Sequence, residues 1–341
     1  MIYTENAINI LTAKSYKGIG RAWIIKNLRG NKKVENIVSL LNKDAKENYL
    51  ITIEDFETTK STLKEKLKKL DGFTDGFVAI GDATFPPYRG NVKNSEQPIF
   101  LFYRGDLTLL KATNKNVAVI GLLNPDTDIE IIEKEVVAEL LKNGATIVSG
   151  LALGCDTIAH RQALNSIGKT VAILPSPPNN ILPATNKELA IEIVRKNGLL
   201  ITEYYGDAKS KMELGGRYQE RDRLQALFSD SIILSASYAK NDQGNDSGSR
   251  FAMEYALNYS IPRAVIYDHV TDINNAKYDL NRQLIREQKE IIIINRNNLA
   301  STVKKILLNK PSKKNQLSQS SLFDLTWIVI DYWYGRKIVN V

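Results

Sequence analysis

The sequence predicts an α/β fold: a Rossmann-like, doubly wound and mostly parallel sheet, with a small helical domain before it and a short extension after it. Three observations carry that prediction. Short, continuous apolar runs recur between residues 117 and 294, segments of helical length separate them, and 341 residues suffice for one large core plus a smaller unit.

Residues 1–75 read as helical, because apolar side chains recur at helical spacing through Ile8, Leu11, Ile24, Leu28, Val38, Leu41, Leu63 and Leu67. Inside this unit, Lys17-Gly18-Ile19-Gly20-Arg21 is a glycine turn flanked by cations. It reads either as a plain interhelix turn or, as in helix-hairpin-helix modules, as backbone amides at Lys17, Gly18 and Gly20 offered to a DNA phosphate. The lysine-rich run 60–69 reads as a solvated helix face.

Residues 76–110 are expected to form a connector with one leading strand, since Pro86-Pro87, Gly90 and Pro98 precede the apolar Phe100-Leu101-Phe102. The main domain is expected over 111–310. Its strands are placed at 117–120, 146–148, 171–174, 199–202, 231–234, 264–267 and 291–294, and its helices at 128–142, 156–167, 186–196 and 249–258. Buried parallel strands joined by right-handed helical crossovers bind ligands beyond their carboxyl ends. The turns at 121–127, 149–156, 203–223 and 235–250 therefore share one rim. The segment 311–341 is a polar linker and an aromatic tail whose Trp327, Tyr332, Trp333 and Tyr334 call for packing on the body or on a partner.

Composition narrows the partners. Forty-six Lys and Arg against 38 Asp and Glu leave a net charge of +8, which favours polyanions through phosphate neutralisation and counterion release. With 43% apolar and 25% charged residues the chain is an ordinary globular one. No run approaches the roughly 18 consecutive apolar residues of a membrane span, and the N-terminus lacks a leader pattern, so a cytoplasmic protein is expected. Cys155 is the single cysteine, and His160 and His269 are the two histidines. Neither a disulfide, a metal site nor a cofactor is expected.

The candidate site residues gather on the shared rim. The run Ser149-Gly150-Leu151-Ala152-Leu153-Gly154-Cys155-Asp156 ends an apolar strand and restarts as a helix, which leaves backbone amides free for an anion. Ser149, Gly150 and Gly154 are expected to bind phosphate, Asp156 to cap the helix, and His160, one helical turn later, to be a structural residue. Gly121 follows the first parallel strand. Ser247-Gly248-Ser249-Arg250 repeats the anion-site logic before the helix at 251, with Ser247 or Ser249 as its cap. Arg217, Arg221 and Arg223 form a cationic cluster able to hold phosphate oxygens, and Tyr218 offers a face for an unpaired base. Lys169 opens the strand through Val171.

Several of these runs together resemble a known family. Residues 149–160, Gly168-Lys169-Thr170-Val171-Ala172-Ile173-Leu174-Pro175, Leu182-Pro183-Ala184-Thr185-Asn186-Lys187-Glu188-Leu189, Gly198-Leu199-Leu200-Ile201-Thr202-Glu203, Arg221-Asp222-Arg223, Ser247-Gly248-Ser249 and Asn281-Arg282-Gln283-Leu284-Ile285 are similar to the DprA/Smf proteins of bacterial transformation, over residues 80–295. The resemblance implies a non-enzymatic, single-stranded DNA-binding protein that protects incoming DNA, loads a RecA-type recombinase and works as a homodimer. It also implies that Arg221-Asp222-Arg223 stands where the family has an Arg-Asn-Arg motif of its DNA pocket. Two departures follow. Asp222 adds a carboxylate, and Gly121 is followed by Leu122-Leu123 where the family usually has Gly-Ser-Arg, whose arginine contacts DNA. A divergent member with altered or weaker DNA affinity is expected, without the winged helix that many members carry at the C-terminal end.

Two other readings stay open. The fold is distantly similar to LOG-type phosphoribohydrolases, nucleotide-binding enzymes whose Pro-Gly-Gly-x-Gly-Thr-x-x-Glu turn supplies an acid. Here the comparable run Gly244 to Ser249 has no Glu three residues on, and Glu254 falls five residues after Ser249. The third reading is a nucleotide or nucleic-acid sensor in phage defence.

Overall fold

A computed structural model of the chain describes residues 1–30, 32–240, 248–288 and 290–308. Four helices lead: α1 (Glu5–Ser15), α2 (Arg21–Leu28), α3 (Val34–Asp44) and α4 (Ile53–Leu67). Local chemistry starts the last of them, since Thr52 and Asp55 exchange side-chain and backbone hydrogen bonds in a capping box. The remaining elements are β1 (Gly76–Ala79), β2 (Phe100–Gly105), β3 (Lys115–Ile120), α5 (Thr127–Lys142), β4 (Ala145–Ser149), α6 (Cys155–Asn165) and β5 (Thr170–Ile173). They continue through α7 (Lys187–Arg195), β6 (Leu199–Thr202), α8 (Lys211–Leu227), β7 (Ser231–Leu234), α9 (Ser249–Asn258), β8 (Arg263–Ile266), α10 (Asp279–Glu287), β9 (Ile292–Ile294) and α11 (Leu299–Leu308).

The described strands form one sheet in the order β1-β2-β6-β5-β4-β3-β7-β8-β9. From β6 to β9 every pairing is parallel, whereas β1 to β2 and β2 to β6 run antiparallel. The seven parallel strands are those read from the sequence; six of them carry apolar runs buried on both faces, and the edge strand β9 is partly exposed. The segment 76–110 holds two strands rather than one.

Alternation along β3 shows how the layers divide. Ala118 and Ile120 pack with Leu224 and Leu227 of α8 and Met253 of α9, while Val117 and Val119 pack with Val136 and Leu140 of α5 and Val303 of α11. Helices cover both faces. The N-terminal helices make a third cluster, in which Ile8, Leu11, Leu41 and Phe56 join Phe77 of β1 and Phe100 and Phe102 of β2. Strand order reverses at β3, which has β4 on one side and β7 on the other. A doubly wound sheet opens a crevice at that point, beyond the carboxyl ends of the strands.

Candidate functional site

The crevice holds a cleft of about 420 Å³, walled by Ile120, Leu123, Leu153, Pro183 and Tyr218 and carrying Asp156, Arg221, Asp222, Gln225 and Ser249. Close backbone approach builds its floor. A Cβ on Gly154, where φ is +72°, would lie 2.2 Å from the Leu122 carbonyl, so only glycine fits there. At Gly150 the Cβ position falls 1.1 Å from Arg221 Nη1: the guanidinium occupies the space of the missing side chain. Gly121 is pressed in the same way, its Cβ position lying 2.6 Å from the Cys155 sulfur. Ser149 Oγ donates to the Val119 carbonyl (2.7 Å) and ties β4 to β3.

Charge in the cleft is balanced inside the protein. Gly154 is the N-cap of α6, and Asp156 is its second residue, so the expected cap role does not hold. Its carboxylate instead reaches back to accept from the Gly150 and Ala152 amides (3.1 and 3.2 Å) and pairs with Arg221 Nη1 at 3.2 Å. The amides expected to await a phosphate are thus held by an internal carboxylate. Arg221 also stands 3.2 Å from Asp222 through Nε, but that atom is not aligned for a hydrogen bond and makes none among the described residues. With its amide turned to suit both neighbours, Gln225 donates to Asp222 and accepts from Gly150 N–H, each at 3.0 Å. Burial pushes the Asp222 carboxyl up to about 7, against the pull of Arg221 and with the push of Asp156.

The expected arginine cluster does not converge. Residues 211–227 are helix rather than turn, and at 100° per residue positions 221 and 223 point to opposite sides. Arg221 enters the cleft. Arg223 turns to the N-terminal side, where it binds Glu203, Glu220 and the Glu96 carbonyl. Arg217 clasps the Gly206 and Asp207 carbonyls and Glu213, with its guanidinium 4.2 Å from the Tyr204 ring centre. Lys169 precedes β5 and so lies at the amino end of the sheet, opposite the rim, bonded to the Lys196 carbonyl (3.3 Å).

On the α9 side Gly248 is the N-cap, and Ser249 Oγ donates to the Gly121 carbonyl (3.0 Å) rather than capping the helix. Both line the cleft, whereas Ser247 falls outside the described residues. Arg250 pairs with Glu254 at 2.9 Å and lies over the Phe251 ring. His160 is fully buried with Nδ1 2.7 Å from Thr170 Oγ1; burial and the charge of Arg221 drop it to about 3, so it stays neutral. In the N-terminal turn, Gly18 has a φ of +84°, and the Lys17 amide already donates to the Glu47 carboxylate (2.7 Å). Gly20 opens a separate cleft, whose Arg21 pairs with Glu203 and Glu220 (3.1 and 2.9 Å).

Two residues that support the site were not among its candidates, although Asn186 stands in one of the runs that carry the resemblance. Gln225 bridges Asp222 and Gly150, and Asn186 donates to the Leu151 carbonyl (2.9 Å) and Thr157 Oγ1 (2.8 Å), holding the turn from behind. Among the described residues no helix is long and apolar enough to cross a membrane, and no group of three or more His, Cys, Asp or Glu is placed to hold a metal.

Comparison with known proteins places this architecture. Protein Smf of Borreliella burgdorferi is 27% identical over 255 residues, covering 72% of this chain and 76% of that protein. The X-ray structure of DNA processing protein A from Streptococcus pneumoniae has the same fold, with a TM-score of 0.65 at 20% identity over 89% of this chain and 98% of that one. DNA processing protein A of Helicobacter pylori, described for its single-stranded DNA binding mode, matches with a TM-score of 0.52 at 28% identity over 67% of this chain and 99% of that one. The family model for DNA recombination-mediator protein A matches residues 76–304, and the chain belongs to that family.

Proposed function

We propose that the chain binds single-stranded DNA at the rim cleft and serves recombination or transformation by protecting the strand and passing it to a RecA-type recombinase, as a cytoplasmic homodimer. The observation that carries this is the cleft at the strand-order reversal, where an aromatic face, Tyr218, and a buried cation, Arg221, meet between apolar walls. Unstacked bases find stacking surface there, and Lys209 and Lys211 stand exposed at the start of α8 for the backbone. Binding is expected to be weaker than a fully cationic rim would give, because Asp156 and Asp222 offset Arg221. The related structure from Helicobacter pylori supports the ligand class.

A binding role also fits the α9 side better than a hydrolytic one. Glu254, the glutamate that follows the turn, pairs with Arg250 and is absent from the cleft lining. Fluorescence anisotropy with a labelled oligo(dT) strand tests the proposal. Affinity should fall about tenfold or more between about 50 and about 200 mM salt, and duplex of equal length should bind more weakly. Equal affinity for duplex, or no dependence on salt, would exclude it.

A further inference from the structure

Side chains 218, 221, 222 and 225 of α8 follow helical spacing and form one face, which lines the cleft. Tyr218 therefore stands one turn from Asp222, with its ring on the same side as the carboxylate. The usual phosphate contacts are spent here, since the Gly150 and Ala152 amides are held by Asp156 and the Arg221 charge is shared between two acids. What the cleft still offers is apolar wall, one aromatic face, a buried carboxylate and an arginine Nε without a hydrogen bond among the described residues. Walls of that kind with a few polar groups suit a flat heteroaromatic ligand, and about 420 Å³ lies within the usual range for such sites.

We propose that the cleft selects a guanine base, whose adjacent N1–H and N2–H donors pair with the Asp222 carboxylate while its ring stacks on Tyr218. An ionised carboxylate only accepts hydrogen bonds. Of the four bases, guanine alone presents two neighbouring donors on its Watson–Crick edge; adenine, cytosine and thymine each set a donor beside an acceptor. The inference rests on the single-strand reading for the source of the base, though a free guanine mononucleotide carries the same edge.

The test is run at pH 8, where Asp222, titrating near 7, is ionised. Oligo(dT) carrying one central dG should bind roughly tenfold more tightly than all-dT. Replacing that base by inosine, which lacks the N2 donor, should remove most of the gain, and 7-deazaguanine, which keeps both donors, should preserve it. In Asp222→Asn the ratio of dG to dT affinity should fall to about one. The free nucleotide is tested by calorimetry, with GMP expected to bind and IMP several-fold more weakly. A dG strand no tighter than all-dT, inosine equal to guanine, or a preference that survives Asp222→Asn would overturn the proposal and leave single-strand binding intact. If no strand binds, the single-strand reading falls, and GMP no better than IMP would then refute the guanine pocket separately.

Discussion

Glu133 of α5 is fully buried, and neither of its carboxylate oxygens makes a well-aligned hydrogen bond among the described residues. Ser235 Oγ and the Cys155 thiol are its polar neighbours just below the cleft. Burial raises its carboxyl from the ordinary range to about 8, and it pushes the neighbouring thiol up as well. The folded protein thus keeps a proton that the unfolded chain loses near pH 4.5. Stability from this group is complete below that pH and is lost as pH rises through about 8, by on the order of a few kcal/mol. Asp222, raised to about 7, acts in the same sense, while His160, lowered to about 3, costs stability as pH falls below its ordinary value. The urea midpoint should therefore decline from pH 5 to 8.5 in the wild type. Glu133→Gln, neutral throughout, should flatten that decline and leave the acid limb unchanged; parallel curves for the two proteins would show that Glu133 does not hold its proton.

At the scale of elements, α8 is both the part least legible in the sequence and the part that decides the site. The parallel strands could be read directly, because strands covered on both faces are uninterrupted apolar runs such as Val117 to Ile120. Residues 211–227 could not, since Gly215-Gly216 and a row of charges look like a turn, and tertiary packing overrides that local preference. Read as a turn, the segment puts Arg221 and Arg223 in one cluster, whereas helical phase sets them apart. The internal partner of Asp156 lies 65 residues away in sequence, beyond any local pattern. β1 escaped notice because it is four residues long and begins with glycine. The far face of α8 makes a network in which Arg223 and Arg21 share Glu203 and Glu220, and Glu203 is buried. Arg223→Met leaves that buried acid with Arg21 in place of two cations, so a loss of about 1.5–3 kcal/mol is expected. Adding Glu203→Gln should recover part of it, as the buried charge that lost a partner is then gone and Arg21 keeps Glu220. Penalties that simply add in chemical denaturation would mean the two residues do not interact.

For the whole molecule, the same network and one apolar cluster decide whether the N-terminal helices are an appendage or part of the sheet's core. Phe77 and Phe102 are fully buried, with ring centres 4.9 Å apart, and the side of the sheet edge they form is covered by α1 and α4 through Ile8, Leu11 and Phe56. Even Ile2 joins the edge: its amide donates to the Asp75 carbonyl (2.8 Å), and its carbonyl accepts from Phe77 N–H (3.0 Å). Removing residues 1–70 would bare those rings, each worth about 1.5–3 kcal/mol of burial, and would leave Glu203 and Glu220 to Arg223 without Arg21. The shortened chain should unfold at a lower denaturant concentration and self-associate in sedimentation, because an uncovered strand edge flanked by aromatic rings invites pairing with another copy. Strand affinity should fall too, since Arg21 and Arg223 together hold the back of the helix whose front carries Tyr218 and Arg221. A truncated protein that stays monodisperse with an unchanged midpoint would show that the helices ride on the sheet without supporting it, and the coupling through α8 would have to be abandoned.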